Sequence, residues 1–248
     1  MQDAFGPSWQ ELHEEVKASG LTDMRADIGN VHEPISIPSL KGKRILSAAC
    51  GAFHSLFLVE GGGDGVGGQV YAAGLNKRGQ MGLGHFDISH THRVPTLVSS
   101  LDSDCDVISV HCGWQYSAVL TRDGSVFAFG SDQHGQFGCG EEKSGADLPE
   151  ATLIQGPKMG SKRVRAISCG FSHILLAYEG GGVASAGCND HGQLGRGSIT
   201  PKCCEFEEIE AFRGLEVESV ACGHEHSVVL LKNGSAYGFG KCQQGQVS

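Results

Sequence analysis

The chain has 248 residues, room for one or two domains, and its 40% hydrophobic and 19% charged content is that of a core-forming protein. Its 38 glycines stand beside 7 prolines without a Gly-x-y period, which excludes collagen and argues for many tight turns. A formal net charge of −9 excludes a phosphate-binding surface spread over the whole molecule.

Residues 1–30 form a leader outside any repeat. Ser8 and Glu11 read as a capping box, and Trp9, Leu12 and Val16 share one helical face before Gly20. This predicts a short amphipathic helix from Trp9 to about Ser19, packed against a neighbouring sheet or frayed rather than bound to a partner. No N-terminal apolar run has the form of a signal peptide, and no apolar segment has the length that spans a bilayer. An intracellular protein, cytoplasmic or nuclear and without membrane insertion, is expected. The 10 cysteines contain no Cys-x-x-Cys pair, so free, mostly buried thiols are expected rather than a zinc ribbon. The basic stretches Lys41–Arg44 and Lys158–Arg165 read as solvated charges beside strand starts.

From residue 31 the chain repeats, in copies spanning about 31–86, 87–143, 144–199 and 200–248. Each opens on a weakly alternating strand, "RILSAAC", "VISVHC", "VRAISC" or "VESVAC". These strands end in Cys50-Gly51, Cys112-Gly113, Cys169-Gly170 and Cys222-Gly223. Three residues beyond the glycine stands His54, Tyr116, His173 or His226. Short apolar runs, "SLFLV", "SAVLT", "ILLAY" and "SVVLL", suit a second strand buried on both faces. "RDGS" and "KNGS" are hairpin turns into third strands that end at Gly74, Gly130, Gly187 and Gly240. Those glycines recur at intervals of 56, 57 and 53 residues. A Gly-Gln loop follows in every copy: Gly79-Gln80, Gly135-Gln136, Gly192-Gln193 and Gly245-Gln246. More polar outer strands are expected at "VPTLVSS", "ATLIQ" and "EFEEIEAF". Four short strands at this period predict an all-β protein of four-stranded antiparallel propeller blades. In the first copy the Cys-to-Gly separation is 24 rather than 18, because "EGGGDGVGG" (Glu60–Gly68) lengthens one hairpin tip. No Gly-Lys-Ser/Thr follows it, so it is not a nucleotide loop.

Cys-Gly-x-x-His-Ser, an aromatic-x-x-Gly strand and Asn-x-x-Gly-Gln-x-Gly together resemble the regulator of chromosome condensation repeat family, over about residues 31–248. The resemblance implies a seven-bladed β-propeller fold. Members include an exchange factor for a nuclear small GTPase, ubiquitin-ligase subunits, ciliary proteins and a plant ultraviolet-B receptor. Only four copies are present, and the last ends in "GQVS" where the others have "GQMG", "GQFG" and "GQLG". About four blades are therefore expected, as an open arc or part of a seven-bladed ring, and the chain reads as a fragment. The alternative is a closed four-bladed ring in which "EPISIPSL" (Glu33–Leu40) supplies the last outer strand.

The repetition decides how the candidate sites are read. His54, His173 and His226 occupy one blade position that Tyr116 shares, so they read as structural groups, not bases or metal ligands. The Gly-Gln glycines are expected to take left-handed backbone, the glutamines to bond across the loop, and Asn76, Asp132 and Asn189 to cap it; Cys242 replaces them in the last copy. Asp102, Asp104 and Asp106 open like a calcium loop, but Val107 and Gly113 stand where glycine and glutamate are needed. His85, His90 and His92 share one loop, for which a polar loop is the expectation and adventitious capture of a metal the lesser alternative. Hydrolase signatures Gly-x-Ser-x-Gly and His-Glu-x-x-His do not occur.

What remains unexplained by the repeat are loop tips. In an up-and-down blade the loops after strands one and three emerge on one face. Phe53, Trp114, Gln115, Phe171, His224 and Glu225 come from the first, and Lys77, Arg78, His134 and His191 from the second. This aromatic, mixed-charge face predicts protein recognition. "CGWQYS" resembles segments of the photoreceptor's tryptophan cluster, but with one such tryptophan light sensing is disfavoured. The exchange-factor relatives carry a β-wedge in one blade, and every Gly-Gln loop here is unmodified. The expectation is a non-catalytic scaffold or regulatory subunit with a protein partner, such as a small GTPase, and with no cofactor or metal. The alternatives are an exchange factor for a Ran-like GTPase and a chromatin-binding or ubiquitin-ligase-associated propeller; DNA is disfavoured by the charge.

Overall fold

The computed structural model describes residues 34–61, 67–101, 105–154 and 162–247. The predicted helix from Trp9, the middle of the Glu60–Gly68 loop, and Asp102 and Asp104 lie outside them. Four antiparallel sheets follow one another along the chain, each built in sequence order from inner to outer strand. Blade 1 is β1 (Ile45–Cys50), β2 (His54–Val59), β3 (Gln69–Asn76) and β4 (Asp87–Leu97). Blade 2 is β5 (Val107–Cys112), β6 (Tyr116–Thr121), β7 (Val126–Gly130) and β8 (Leu148–Leu153). Blade 3 is β9 (Val164–Cys169), β10 (His173–Tyr178), β11 (Val183–Cys188) and β12 (Lys202–Glu208). Blade 4 has three strands, β13 (Val217–Cys222), β14 (His226–Leu231) and β15 (Ala236–Gly240). The fold is a β-propeller arc.

Period-two alternation explains how the blades stack. In β6, Ala118 and Leu120 pack toward blade 3 while Val119 packs toward blade 1, so the whole strand is buried. Leu56, Leu58, Val70 and Met81 of blade 1 meet Val110, Val119 and Phe129 of blade 2 in one core. Phe137, Leu120 and Val126 meet Ile167, Ile174 and Leu176 in the second. Leu175, Val183 and Phe212 meet Val217, Val229 and Leu231 in the third. Each large aliphatic side chain so enclosed contributes about 1.5–3 kcal/mol.

Among the described residues three cores join four blades, and the arc is open. Both end blades show it in their second strands. In β14, Ser227, Val229 and Leu231 are buried against blade 3, whereas His226, Val228 and Leu230 are half-exposed. In β2, Leu56 and Leu58 are buried toward blade 2 while Ser55 and Phe57 are half-exposed. Tyr237, on β15, is 47% exposed although Phe127 at the same repeat position is half-buried. The closed four-bladed alternative is thereby corrected: Ile35–Ile37 pairs with no strand, and Pro38–Leu40 forms a 3₁₀ turn lying against β4 of blade 1, not against β15.

Two further expectations are corrected. The outer strands start earlier than the apolar pattern implied, at Asp87, Leu148 and Lys202, and the third ends at Glu208 before a 3₁₀ turn over Glu210–Phe212. Backbone pairing to the third strand sets their extent, not hydrophobicity: Asn76 faces Asp87 and Cys188 faces Lys202. No disulfide joins the cysteines; Cys204 is fully enclosed, Cys50 and Cys242 are exposed, and the others are partly enclosed.

Candidate protein-interaction face

The recurring residues are consumed in joining blades. His54 Nε2 lies 2.8 Å from Ser117 Oγ of blade 2, and that hydroxyl donates to the Gln80 carbonyl of blade 1 at 2.8 Å. The serine proton is thus committed, so Nε2–H of His54 is the donor. His173, Ser227 and Gln193 repeat the relay between blades 3 and 4 at 2.9 and 2.8 Å. Blade 3 has Ile174 where the others have serine, and there the histidine slot of blade 2 holds Tyr116. Its hydroxyl lies 3.0 Å from the Gly170 carbonyl and 2.7 Å from that of His173. The exchange of partners is matched: imidazole where the next blade offers a hydroxyl, phenol where only backbone is offered. Tyr116→Phe is expected to cost about 1–3 kcal/mol, read as a lowered urea midpoint, since it takes the hydroxyl from the Gly170 carbonyl, while the His173 carbonyl keeps the Gly170 N–H at 2.8 Å.

The preceding glycine makes room for the ring. A Cβ on Gly51 would lie 2.1 Å from His54 Cε1, and one on Gly113 would lie 2.0 Å from Tyr116 Cε1; Gly170 and Gly223 stand likewise under His173 and His226. Burial lowers His54 and His173 to about 4, so both are neutral imidazoles near pH 7 and neither can act as an acid there. Burial pushes the thiols of Cys112 and Cys222 up to about 12, which denies them thiolate chemistry.

The Gly-Gln loops close on themselves. Gly79, Gly135, Gly192 and Gly245 have φ of +80°, +71°, +78° and +77°. Gln80, Gln136, Gln193 and Gln246 each accept, through Oε1, from the backbone N–H two residues earlier, at 2.8–3.0 Å. Asn76, Asp132 and Asn189 accept from the N–H of Met81, Phe137 and Leu194. All four loops share the glycine and glutamine geometry, and the fourth has Cys242 in place of the Asn or Asp acceptor.

Above these staples the loop tips form one continuous surface. Phe53, Trp114, Phe171 and His224, one from each blade, touch in sequence, the first pair edge-on and the others tilted: ring centroids are 5.5, 4.8 and 4.1 Å apart. Backbone bonds run between the same loops, Ala52 N–H to the Trp114 carbonyl, Trp114 N–H to Phe171 and Phe171 N–H to His224, at 3.2–3.3 Å. Phe53 is 52% and Trp114 39% exposed, so the arc presents ring surface to solvent while its backbone is fixed. The second set of loops meets the first: Leu75 N–H bonds the Phe53 carbonyl, and Ser131, Cys188 and Lys241 bond Gln115, Ser172 and Glu225 likewise.

Charges around the arc are ordered. Glu225 receives Lys241 at 2.5 Å and lies 3.5 Å from His191 and 3.8 Å from His224. The Lys241 hydrogen bond, ahead of its charge, holds the Glu225 carboxyl below its usual range. Arg78 bridges blades through Asp147 at 3.0 Å. Lys77 and His134 are half-buried.

The sequence profile of the regulator of chromosome condensation (RCC1) repeat matches residues 67–120, 123–177 and 181–230, and a second profile of the same repeat matches 107–136 and 217–246. The chain belongs to the RCC1 repeat family. Human probable E3 ubiquitin-protein ligase HERC6 is 30% identical to this RCC1-repeat chain over 207 residues, covering 84% of the chain and 19% of the ligase. The human X-linked retinitis pigmentosa GTPase regulator is 32% identical over 264 aligned positions, covering 88% of the chain and 25% of that protein. Prp20p of Saccharomyces cerevisiae shares the fold with a TM-score of 0.68 at 21% identity, covering 85% of the chain and 47% of Prp20p. The RCC1-repeat chain thus spans from a fifth to just under half of these relatives.

Sequence reasoning named the RCC1 loop residues singly and missed that the rings touch. The signal available was positional: each aromatic or histidine stands one or two residues after Cys-Gly. Arg78 was grouped with the free loop tips, and the structure instead ties it to Asp147.

Proposed function

We propose that the chain is a non-catalytic, intracellular protein-interaction module of a scaffold or regulatory subunit, and that the Phe53–Trp114–Phe171–His224 arc is where its partner docks. The observation that carries this reading is the continuity of that arc: four exposed or half-exposed rings from four blades touch in sequence on a hydrogen-bonded backbone. Rigid aromatic surface flanked by ordered charge is what binding hot spots use. His54, His173, Tyr116 and the Gly-Gln glutamines are meanwhile spent in staples and turns, and His226 is half-exposed on the last blade. Lys77, Arg78, Gln115, His134, His191 and Glu225 form the polar rim.

A small GTPase is the partner class to test first, because one relative carries GTPase regulation in its name and matches 88% of the chain. Trp114→Ala should weaken capture of the GTPase by at least about 2 kcal/mol, roughly thirty-fold, with the thermal midpoint unmoved. Equal losses of binding and stability would assign Trp114 to the scaffold instead. The second reading, exchange-factor activity toward a Ran-like GTPase, is separated by release of fluorescent GDP: docking alone leaves the release rate at its intrinsic value. Binding that falls steeply with added salt would transfer the case to chromatin, and Prp20p has binding properties toward histones.

A further inference from the structure

We propose that His85, Asp87 and His92 form a binding site for a divalent transition-metal ion of the zinc class, with His90 placed to close the shell. The site is made by an irregularity in blade 1. On β3, neighbours Leu75 and Asn76 pair with Thr91 and Asp87, which are four apart on β4, so Ile88–His90 bulges out of the ladder. The bulge carries Asp87 alongside His92, which sits opposite Gly74. One ligand atom from each of His85, Asp87 and His92 then lies within 4.8 Å of the others.

The distances suit a nitrogen-and-oxygen shell. His92 Nε2 is 2.8 Å and His85 Nε2 is 3.9 Å from Asp87 Oδ2, and His90 Nδ1 is 3.5 Å from Oδ1. Around tetrahedral zinc, with bonds of about 2.0–2.1 Å, neighbouring ligand atoms stand about 3.3 Å apart. The His92 and His85 spacings straddle that value, so a small rotation of the exposed His85 forms the shell on the half-buried Asp87 and His92, and His90 joins it by leaving the Ser89 hydroxyl 3.0 Å from its Nδ1. The tautomer of His85 is already set. Its Nδ1 lies 3.1 Å from the Leu83 carbonyl, so that nitrogen carries the proton and donates, and the Nε2 lone pair faces the carboxylate. This outer bond is the usual support of a metal-bound imidazole. Two or three imidazoles with one carboxylate favour zinc-like ions over calcium or magnesium, which take oxygen.

The cluster is not part of the repeat. After the corresponding Gly-Gln-x-Gly, blades 2 and 3 continue "CGEEKSGAD" and "RGSITPKCC", without histidine. His54 and His173 recur because each blade contact needs its staple, whereas this group occurs once.

The test is titration of the full chain, freed of metal by chelator and then exchanged, with Zn²⁺ alone and with Co²⁺ alone. The expected result is one saturable equivalent, a raised thermal midpoint with Zn²⁺, and a Co²⁺ spectrum lacking the thiolate charge-transfer band, which sets the 10 cysteines aside. Asp87→Asn and His92→Gln should each weaken binding at least about ten-fold. His85→Gln, on a side chain 55% exposed, should do the same while leaving the metal-free midpoint unchanged, which separates ligand loss from misfolding. Absence of saturable binding, a thiolate band, or binding that survives His85→Gln and His92→Gln would overturn the proposal.

Discussion

Gly130→Ala is expected to lower stability by at least about 3 kcal/mol, whereas Gly192→Ala should cost only about 1–2 kcal/mol. Both glycines have positive φ, +103° and +78°, but their surroundings differ. A Cβ on Gly192 meets nothing within 4 Å, so the substitution carries only the left-handed backbone penalty. On Gly130 it would lie 2.6 Å from the Gln115 carbonyl oxygen and 2.6 Å from Tyr116 Cα, with Gln80 Cα at 3.0 Å. All three are backbone or Cα atoms, so no rotamer change relieves the clash, and β6 and β7 must separate where Gly130 pairs with Tyr116. Tyr116 in turn holds blade 3 through its hydroxyl, so the displacement reaches a second interface. Gly74 and Gly187 are crowded in the same way, by the Phe53 oxygen at 2.3 Å and the Ser172 oxygen at 2.4 Å. Urea midpoints of the two alanine variants decide the matter, and equal midpoints would refute the close-approach account.

The period of these glycines made the blade architecture legible before any coordinates, because a close approach of two backbones admits no other residue. Strands buried on both faces were legible for the same reason, as continuous apolar runs. Other features were hidden by being relational. That Tyr116 and Ile174 change together is visible only once blade 2 is laid against blade 3; along the chain they look like two unrelated lapses from the motif. The starts of the outer strands follow backbone pairing to a third strand, which leaves no apolar signature at Asp87 or Lys202. The aromatic arc needed the blade-to-blade distance, since no linear spacing says that Trp114 reaches both Phe53 and Phe171. His85, His90 and His92 were visible as a polar loop, but only the bulge at Ile88–His90 brings Asp87 among them.

Stability should fall as pH drops from about 6.5 to about 4, and Asp132→Asn should make that fall steeper. Burial lowers His54 and His173 to about 4, and both are enclosed, at 3% and 0% exposure. Burial also lowers His111 to about 4, though its less enclosed position reduces its share. In the unfolded chain these imidazoles take up protons near pH 6.5, roughly, while the folded chain refuses them until about 4. The unfolded state therefore binds more protons in that window, and stability is complete above it and lost through it. Asp132 acts with the opposite sign. Burial raises its carboxyl to about 7, ahead of the Phe137 N–H bond that lowers it, so the folded state holds a proton that the unfolded chain releases near pH ~3.9. The balance is a difference of between one and two protons, or about 1.4–2.7 kcal/mol per pH unit. Asparagine at 132 removes the opposing proton and keeps the Phe137 N–H acceptor, as Asn76 and Asn189 do for Met81 and Leu194 in blades 1 and 3. The variant should be more stable than the parent above pH 7 and should lose about 1.4 kcal/mol more per unit on acidification. Urea midpoints between pH 4 and 8 measure both. A slope unchanged by the substitution would show that Asp132 is ionised in the folded protein, and a flat profile for the parent would show that the imidazoles' proton uptake differs too little between the folded and unfolded chains to outweigh Asp132.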